Sequence, residues 1–427
     1  MRFHLHAVRG VAAALIHFSS AGAAIAQAAP APAPAPAGLG FERALTLAVM
    51  QAPQLDARRA AVDGAGSAQI NAGQLPDPRL AVGIENLPIT GADRYSTTRD
   101  FMTMKRIGYA QEVPNAAKRQ ARGDAAEART ARERAALEVD RLAVQRETAL
   151  AWLARHFAER RLASLAALER ENTLLQETIA SRVASGQALP ADALLVRQEA
   201  LALADRRDEL TRDVAKAQAT LRRWVGAAAD APLQGEPPAL LPDPHHTPDT
   251  VNRHADLAAF TPMTAVAEAE VRELEAAKKG DWGWELSYAK RGPAFGDMVS
   301  VQFSFELPLW AAQRQDPQIA AKRKELERIA AEREDLRRRS TEEVEARLAE
   351  HDELNRKLAR LTDAALPLAA QRVQLLLASY SAGRADLGMV LAARRDTAEL
   401  QLRLLDLQAQ RMSLRARQAY LITETRP

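Results

Sequence analysis

The chain has 427 residues, of which 26% are charged, 4% are aromatic and none is cysteine. Without cysteine there is no disulfide, no thiolate metal site and no thiol acceptor for a lipid anchor. A formal charge of only +3 speaks against a nucleic-acid partner, and stretches rich in Ala, Leu, Arg and Glu favour extended helices.

At the N-terminus, Arg2 and Arg9 flank an apolar run from Val11 to Ile16, and the small-residue stretch AGAAIAQAAP follows. Ala24-Ile25-Ala26 and Ala26-Gln27-Ala28 both fit a cleavage site, which predicts a secretory signal over 1–28 and a Pro/Ala spacer over 29–38. Removing the signal takes away two arginines and leaves 56 basic against 55 acidic residues, a charge of +1. Beyond it, no apolar run approaches the roughly 18 residues of a membrane helix. The pattern predicts an exported chain that is either soluble or a barrel former.

A helical pattern runs from Phe41 to Ala72. In LPDPRLAVGIENLP, Leu80, Val82 and Ile84 then alternate with Arg79, Ala81, Gly83 and Glu85, a period of two that predicts a strand with one apolar face. A polar link from Thr90 to Asp100 leads to a second strand-like run, Met102 to Val113. Pro114 ends it, and Asn115 is placed to cap a helix reaching about Ser185. Along that helix the seven-spaced row Leu137, Val144, Ala151, Ala158, Leu165, Asn172 and Ile179 predicts a coiled-coil seam. Gly186 and Pro190 break it, and a returning helix runs to Val225.

After a Pro-rich stretch the plan repeats. A helix from Thr261 to Lys279 precedes a strand in which Trp282, Trp284, Leu286 and Tyr288 share a face, and then one in which Val299, Val301, Phe303, Phe305 and Leu307 do. After Pro308 a helix runs from about Gln315 to Ser381, breaks at Gly383 and returns to about Thr423. Glu112 aligns with Glu306, Pro114 with Pro308 and Gly186 with Gly383, and QEVPNAAKRQ echoes FELPLWAAQRQ. The predicted division is a first repeat over 39–234, an equatorial segment over 235–260 and a second repeat over 261–427.

Four strands cannot close a sheet in lipid, because even the smallest bacterial barrels use about eight. Membranous strands would have to be pooled with those of other copies, and three copies would supply twelve. The alternative is a soluble exported protein with two hairpins under a helical bundle.

The order of elements, repeated once, resembles the TolC-type outer membrane factors over essentially the whole mature chain. LPDPRL (Leu75 to Leu80), NLP (Asn86 to Pro88), MTMKRIG (Met102 to Gly108), QEVP (Gln111 to Pro114) and Lys118-Arg119 resemble the heavy-metal, CzcC-like branch. The resemblance implies an α+β membrane protein in which four β-strands per chain contribute to a trimeric 12-stranded outer membrane β-barrel. Long antiparallel helix hairpins would form a periplasmic α-helical tunnel. It also implies a homotrimer in outer membrane lipid, partnered by a periplasmic adaptor (a membrane fusion protein) and an inner-membrane pump of the resistance-nodulation-division (RND) type. Such a duct is no enzyme and needs no cofactor.

The tunnel tip is expected at the two helix breaks. The resemblance assigns Asp192 and Tyr380 to a polar network that holds the tip closed, near Gly186, Gly383, Arg384 and Asp386. Any helix turn needs Gly, Pro and polar residues, so turn chemistry alone is the competing reading. Aspartates that line the constriction in some relatives fall on Met389 and Ala392 here, which puts an acidic ring in doubt.

Pro114, Lys118, Arg119 and Pro308 mark the expected barrel–tunnel junction. Lys118, Arg119 and Arg122 sit at a helix start, where the helix dipole disfavours cations. Lipid headgroups or plain solvation would compensate. Met102 and Met104, at alternate strand positions, are expected to pack rather than bind metal. His245-His246 lacks a nearby third ligand, and His156 and His351 stand alone on helices. No motif for catalysis or phosphate binding is present.

Overall fold

The computed structural model describes residues 38–239 and 248–422. The expected signal, nearly all of the spacer and His245-His246 lie outside the described residues.

Two helices open the chain, α1 (Phe41–Gln51) and α2 (Pro53–Ala72). The single helix expected over 41–72 is split because Pro53 has no N–H to donate and pushes Ala52 into an extended conformation. Strands β1 (Arg79–Glu85) and β2 (Met104–Val113) follow. The second strand starts two residues later than expected. Met102 instead lies in a turn, its amide donating to Asp100 Oδ1 at 2.7 Å, so Met102 and Met104 are not paired on one strand face.

Helix α3 (Ala116–Ala184) has 69 residues and extends roughly 100 Å. Asn115 caps it as expected, Oδ1 accepting from the Lys118 amide at 2.9 Å. α4 (Pro190–Val225) returns alongside. From Val144 to Ile179 every member of the predicted seven-spaced row is buried, and Leu137 packs against the same core. Its alanines let the neighbouring helices approach closely.

Two short helices, α5 (Pro248–Val251) and α6 (Ala255–Ala258), come next, and α7 (Phe260–Ala276) leads to the second hairpin. That hairpin is β3 (Trp282–Lys290) and β4 (Met298–Phe305), which leaves Leu307 beyond the strand. α8 (Ala311–Arg360) begins earlier than the expected Gln315 and tolerates Pro317 inside its second turn. A π-helical turn, Leu361–Ala365, separates it from α9 (Leu366–Ser381). Pro367 explains the turn: it offers no N–H to the Asp363 carbonyl, and widening the helix relieves the clash. α10 (Leu387–Ala419) completes the fold.

All four strands form one antiparallel sheet in the order β1-β2-β3-β4. The two hairpins join through β2 and β3, whose register runs from Lys105 opposite Lys290 to Val113 opposite Trp282. Below the sheet, α3 packs against α4 and α10, and α10 packs against α9. α4 and α9 are therefore the end members of the helical layer, as β1 and β4 are of the sheet.

The largest core gathers halfway down α3. Trp152 is fully buried there, donating from Nε1 to the Leu39 carbonyl at 3.1 Å with Phe41 edge-on at 5.4 Å. α1 is thereby held against α3, α4 and α10. His156 stacks on the same tryptophan at 5.2 Å, and burial pushes its pKa down. His351 lies between Asn355 and Arg415.

Candidate functional site

The cross-strand register turns four separate alternations into one surface. Leu80, Tyr109, Leu286 and Val301 form one row across the sheet, and Val82, Ile107, Tyr288 and Val299 form the next. Trp284 with Phe303 and Trp282 with Phe305 continue this face toward the helices. It is bare: Val82 is 75% exposed, Phe305 68% and Val301 60%. Monomeric soluble proteins rarely leave a continuous apolar sheet face uncovered.

The opposite face is polar. Arg106 bridges Glu85 and Glu285 across three strands, and Arg79 pairs with Glu112 at 3.0 Å. Small residues fit beneath these groups, since a side chain at Gly108 would lie 2.7 Å from Glu285 Oε1. One face thus suits hydrocarbon and the other water. Both edges carry unpaired backbone groups, which lipid does not tolerate.

Where sheet meets helices, the predicted junction residues take part in a network that the sequence did not disclose. Asp281 accepts from the Asn115 amide at 3.0 Å and from Lys118 Nζ at 2.8 Å. Asn115 Nδ2 donates to the Ala276 carbonyl, and the Glu306 amide donates to the Asp281 carbonyl. Pro114 and Pro308 sit between strand and helix at the two passages, with Gly280 packed against Pro308. Two of the basic residues find carboxylate partners within the chain. Lys118 is held by Asp281 and Arg122 by Glu273, so internal carboxylates offset the helix dipole. Arg119 has a buried Nε with no protein partner.

Burial raises the pKa of Asp281, but the hydrogen bonds from Lys118 and Asn115 outweigh it, and the carboxyl lies below its ordinary value. A depressed pKa contributes stability that is present above the ordinary aspartate range, near about 4, and is lost as pH falls through the lower folded value. Acid titration of Asp281→Asn should show less loss of stability below about pH 4 than the parent, read from denaturant midpoints across pH.

At the far end, Gly186 (φ +76°) and Gly383 (φ +69°) make the two turns in the left-handed conformation that glycine permits. Asp192 is buried and caps its own helix, Oδ2 accepting from the Leu189 amide at 2.9 Å. Asp386 does the same for α10, accepting from the Met389 amide at 2.8 Å. Tyr380 packs on the apolar cluster formed by Ile179, Val196 and Leu387, with Arg182 stacked 4.8 Å above its ring. Its hydroxyl is buried without a partner, so Tyr380 and Asp192 are not hydrogen-bonded within one chain. The Arg384 side chain makes no ion pair among the described residues.

The tip also holds pairs that sequence reasoning missed. Arg395 donates to buried Glu199 at 2.6 Å, linking α10 to α4, and Arg372 meets Asp396 at 2.9 Å between α9 and α10. Nothing in the sequence marks residues nearly two hundred positions apart as partners.

No protein-family model matches the chain, and no curated protein sequence matches it. Solved structures do. A membrane protein from Pseudomonas aeruginosa superposes with a TM-score of 0.75 at 19% identity, over 89% of this chain and 92% of that one. CusC, described for the conformational changes that accompany folding and transmembrane channel formation, gives 0.76 at 14% identity over 89% and 91%. The fold is that of outer membrane channels. VceC, an outer membrane protein of Vibrio cholerae, gives 0.72 at 17% identity over 90% and 96% of the two chains. These likenesses span sheet and helices together, so the expected chain fold, four antiparallel strands with long helix hairpins, is observed.

Proposed function

We propose that this chain is the exit duct of a tripartite efflux pump, placed in the outer membrane after export and cleavage of its signal. The observation that carries the reading is the bare apolar sheet face, backed by a polar face and flanked by two open edges. Three copies joined edge to edge give a closed barrel of twelve strands with a polar lumen, and the helix hairpins continue it as a tunnel into the periplasm. No described helix is long and apolar enough to cross a membrane, so the sheet is the element suited to lipid. The duct performs no chemistry and needs no cofactor. A periplasmic adaptor and an inner-membrane pump of the resistance-nodulation-division type complete the path.

Fractionation tests this reading: the chain should appear in detergent extracts of the outer membrane as a trimer. Monomer in the periplasmic fluid would refute it.

Heavy-metal cations are the proposed cargo, on the strength of LPDPRL and MTMKRIG. Metal sensitivity of a deletion strain, measured ion by ion with complementation, checks the assignment. A strain sensitive only to drugs would move the cargo to that class.

The tip is proposed as the gate. Asp192→Ala should remove a helix cap worth about 0.5–2 kcal/mol and raise single-channel conductance in planar bilayers. Unchanged conductance would leave Asp192 with its turn role alone.

A further inference from the structure

The apolar face of the sheet does not stay apolar to its far rim. On the side away from the helices, Lys105 on β2 and Lys290 on β3 stand directly opposite each other. Lys105 is also the register partner of Ile84, so both lysines share the face of Val82, Ile107 and Tyr288. Both are exposed. Neither forms an ion pair among the described residues. Cross-strand partners hold their β-carbons about 5 Å apart, and like charges placed so repel each other. Asp297 lies near Lys290, but its carboxylate already accepts from the Tyr288 hydroxyl and the Arg291 amide.

The charge sits at one rim only. Toward the helices the same face ends on Gln111, Val113, Trp282, Trp284, Phe303 and Phe305, with no cation among them. The loops beyond the lysines, 86–103 and 291–297, together carry three arginines and three aspartates and add no net charge. The lysine pair is therefore an excess of positive charge at the loop end of a surface suited to hydrocarbon. A lysine is tolerated at the rim of a lipid-facing strand, where it costs far less than at mid-bilayer. Tolerance does not explain two of them face to face. An anion held between them does.

We propose that Lys105 and Lys290 form a binding site for the phosphate of an outer-leaflet lipid, one site per chain. The proposal rests on the duct reading above, which puts the loops outside the cell and the lysines at outer headgroup level. Each ammonium supplies three N–H donors, and two long flexible stems let both converge on one phosphate. The acyl chains of the same lipid then lie against Ile84, Ile107, Tyr288 and Val299, which continue the face below the lysines. The phosphate relieves the repulsion between the ammonium groups, and the chains cover apolar surface. A free phosphate ion would do only the first, which selects a lipid as the occupant. Lys105 and Lys290 are the last register pair of the β2–β3 joint. The Asn115–Lys118–Asp281 network holds that joint at its inner end, and the lipid phosphate fastens it at the outer one.

The test uses the full chain purified from membranes in a nonionic detergent, with native mass spectrometry counting bound diphosphoryl lipid A. The parent should bind one lipid per chain. Lys105→Gln with Lys290→Gln should bind it at least roughly tenfold more weakly, whereas Lys105→Arg with Lys290→Arg should keep binding. Lys324→Gln with Lys357→Gln removes the same charge from α8 and should behave as the parent. Dephosphorylated lipid A and inorganic phosphate should each bind the parent at least roughly tenfold more weakly than the diphosphoryl lipid. Equal binding by the first Gln pair and the parent, or an equal loss from the α8 pair, would overturn the site. Equal binding of the dephosphorylated lipid would overturn phosphate recognition, and equal binding of inorganic phosphate would overturn the lipid. Should the first Gln pair fail to assemble on native gels, the three ligands compared on the parent decide. A trimer from the outer membrane that does not discriminate among them overturns the site and leaves the duct standing. Absence of the parent from the outer membrane overturns both.

Discussion

Val301→Arg is expected to keep the chain out of the outer membrane, or to leave it there greatly weakened. Val301 ends the row Leu80–Tyr109–Leu286–Val301 and is 60% exposed on the apolar face, near the middle of β4. A cation on the lipid face near mid-bilayer costs about 2–4 kcal/mol. That is a large share of the roughly 5–15 kcal/mol that holds a typical folded protein together. Gln302→Arg, one residue away on the polar face and opposite Glu285, should have little effect. The measurement is the fraction of each variant recovered in the outer membrane, with denaturant midpoints after reconstitution into lipid. Equal losses from both substitutions would refute the assignment of faces.

The second large effect is expected from Gly280→Ala. Gly280 has φ +65° and ψ 158°, a region that only glycine occupies readily. A β-carbon there would lie 2.1 Å from the Glu306 carbonyl oxygen and 3.0 Å from its carbonyl carbon, both backbone atoms of the strand-to-helix passage. Backbone strain of about 1–3 kcal/mol and a comparable overpacking cost together give about 2–6 kcal/mol. The damage falls where Asn115 and Lys118, at the start of α3, meet Asp281. Gly123→Ala is the opposite case. It lies inside α3 with open space around it, and should stabilise by about 0.5–1 kcal/mol. Thermal or denaturant unfolding of the pair should therefore move in opposite directions.

Much of the architecture was legible because it is written in short-range patterns. Alternation marked Leu80, Val82 and Ile84, and again Val299 to Phe305, because strand side chains switch faces at every residue. The row from Leu137 to Ile179 marked a seam because a helix returns to the same face about every seven residues. Gly186 and Gly383 marked the turns because each takes a positive φ. Boundaries were read less well where one proline acts on its neighbours. Pro53 split an expected helix, and Pro367 produced a π-turn that periodicity does not reveal.

The site was less legible than the fold. Asn115 was read as a cap, and it is one. Its additional bonds to Ala276 and Asp281 depend on bringing together segments more than 160 positions apart. Lys118 and Arg122 were assigned no protein partner because Asp281 and Glu273 stand more than 150 positions away in the chain. Asp192 and Tyr380 were expected in one network; within a single chain the first caps its own helix and the second keeps a hydroxyl without a partner.

By itself, then, the sequence determined the four amphipathic strands, the long hairpins and the turn positions. Each follows from spacing within one segment, where backbone geometry alone relates neighbours. Only the tertiary structure decided that β2 pairs with β3, which fuses two hairpins into one sheet with a continuous apolar face. It alone made α4 and α9 the end helices of the layer. Pairing register and helix order depend on contacts between residues far apart in the chain, which local periodicity does not encode.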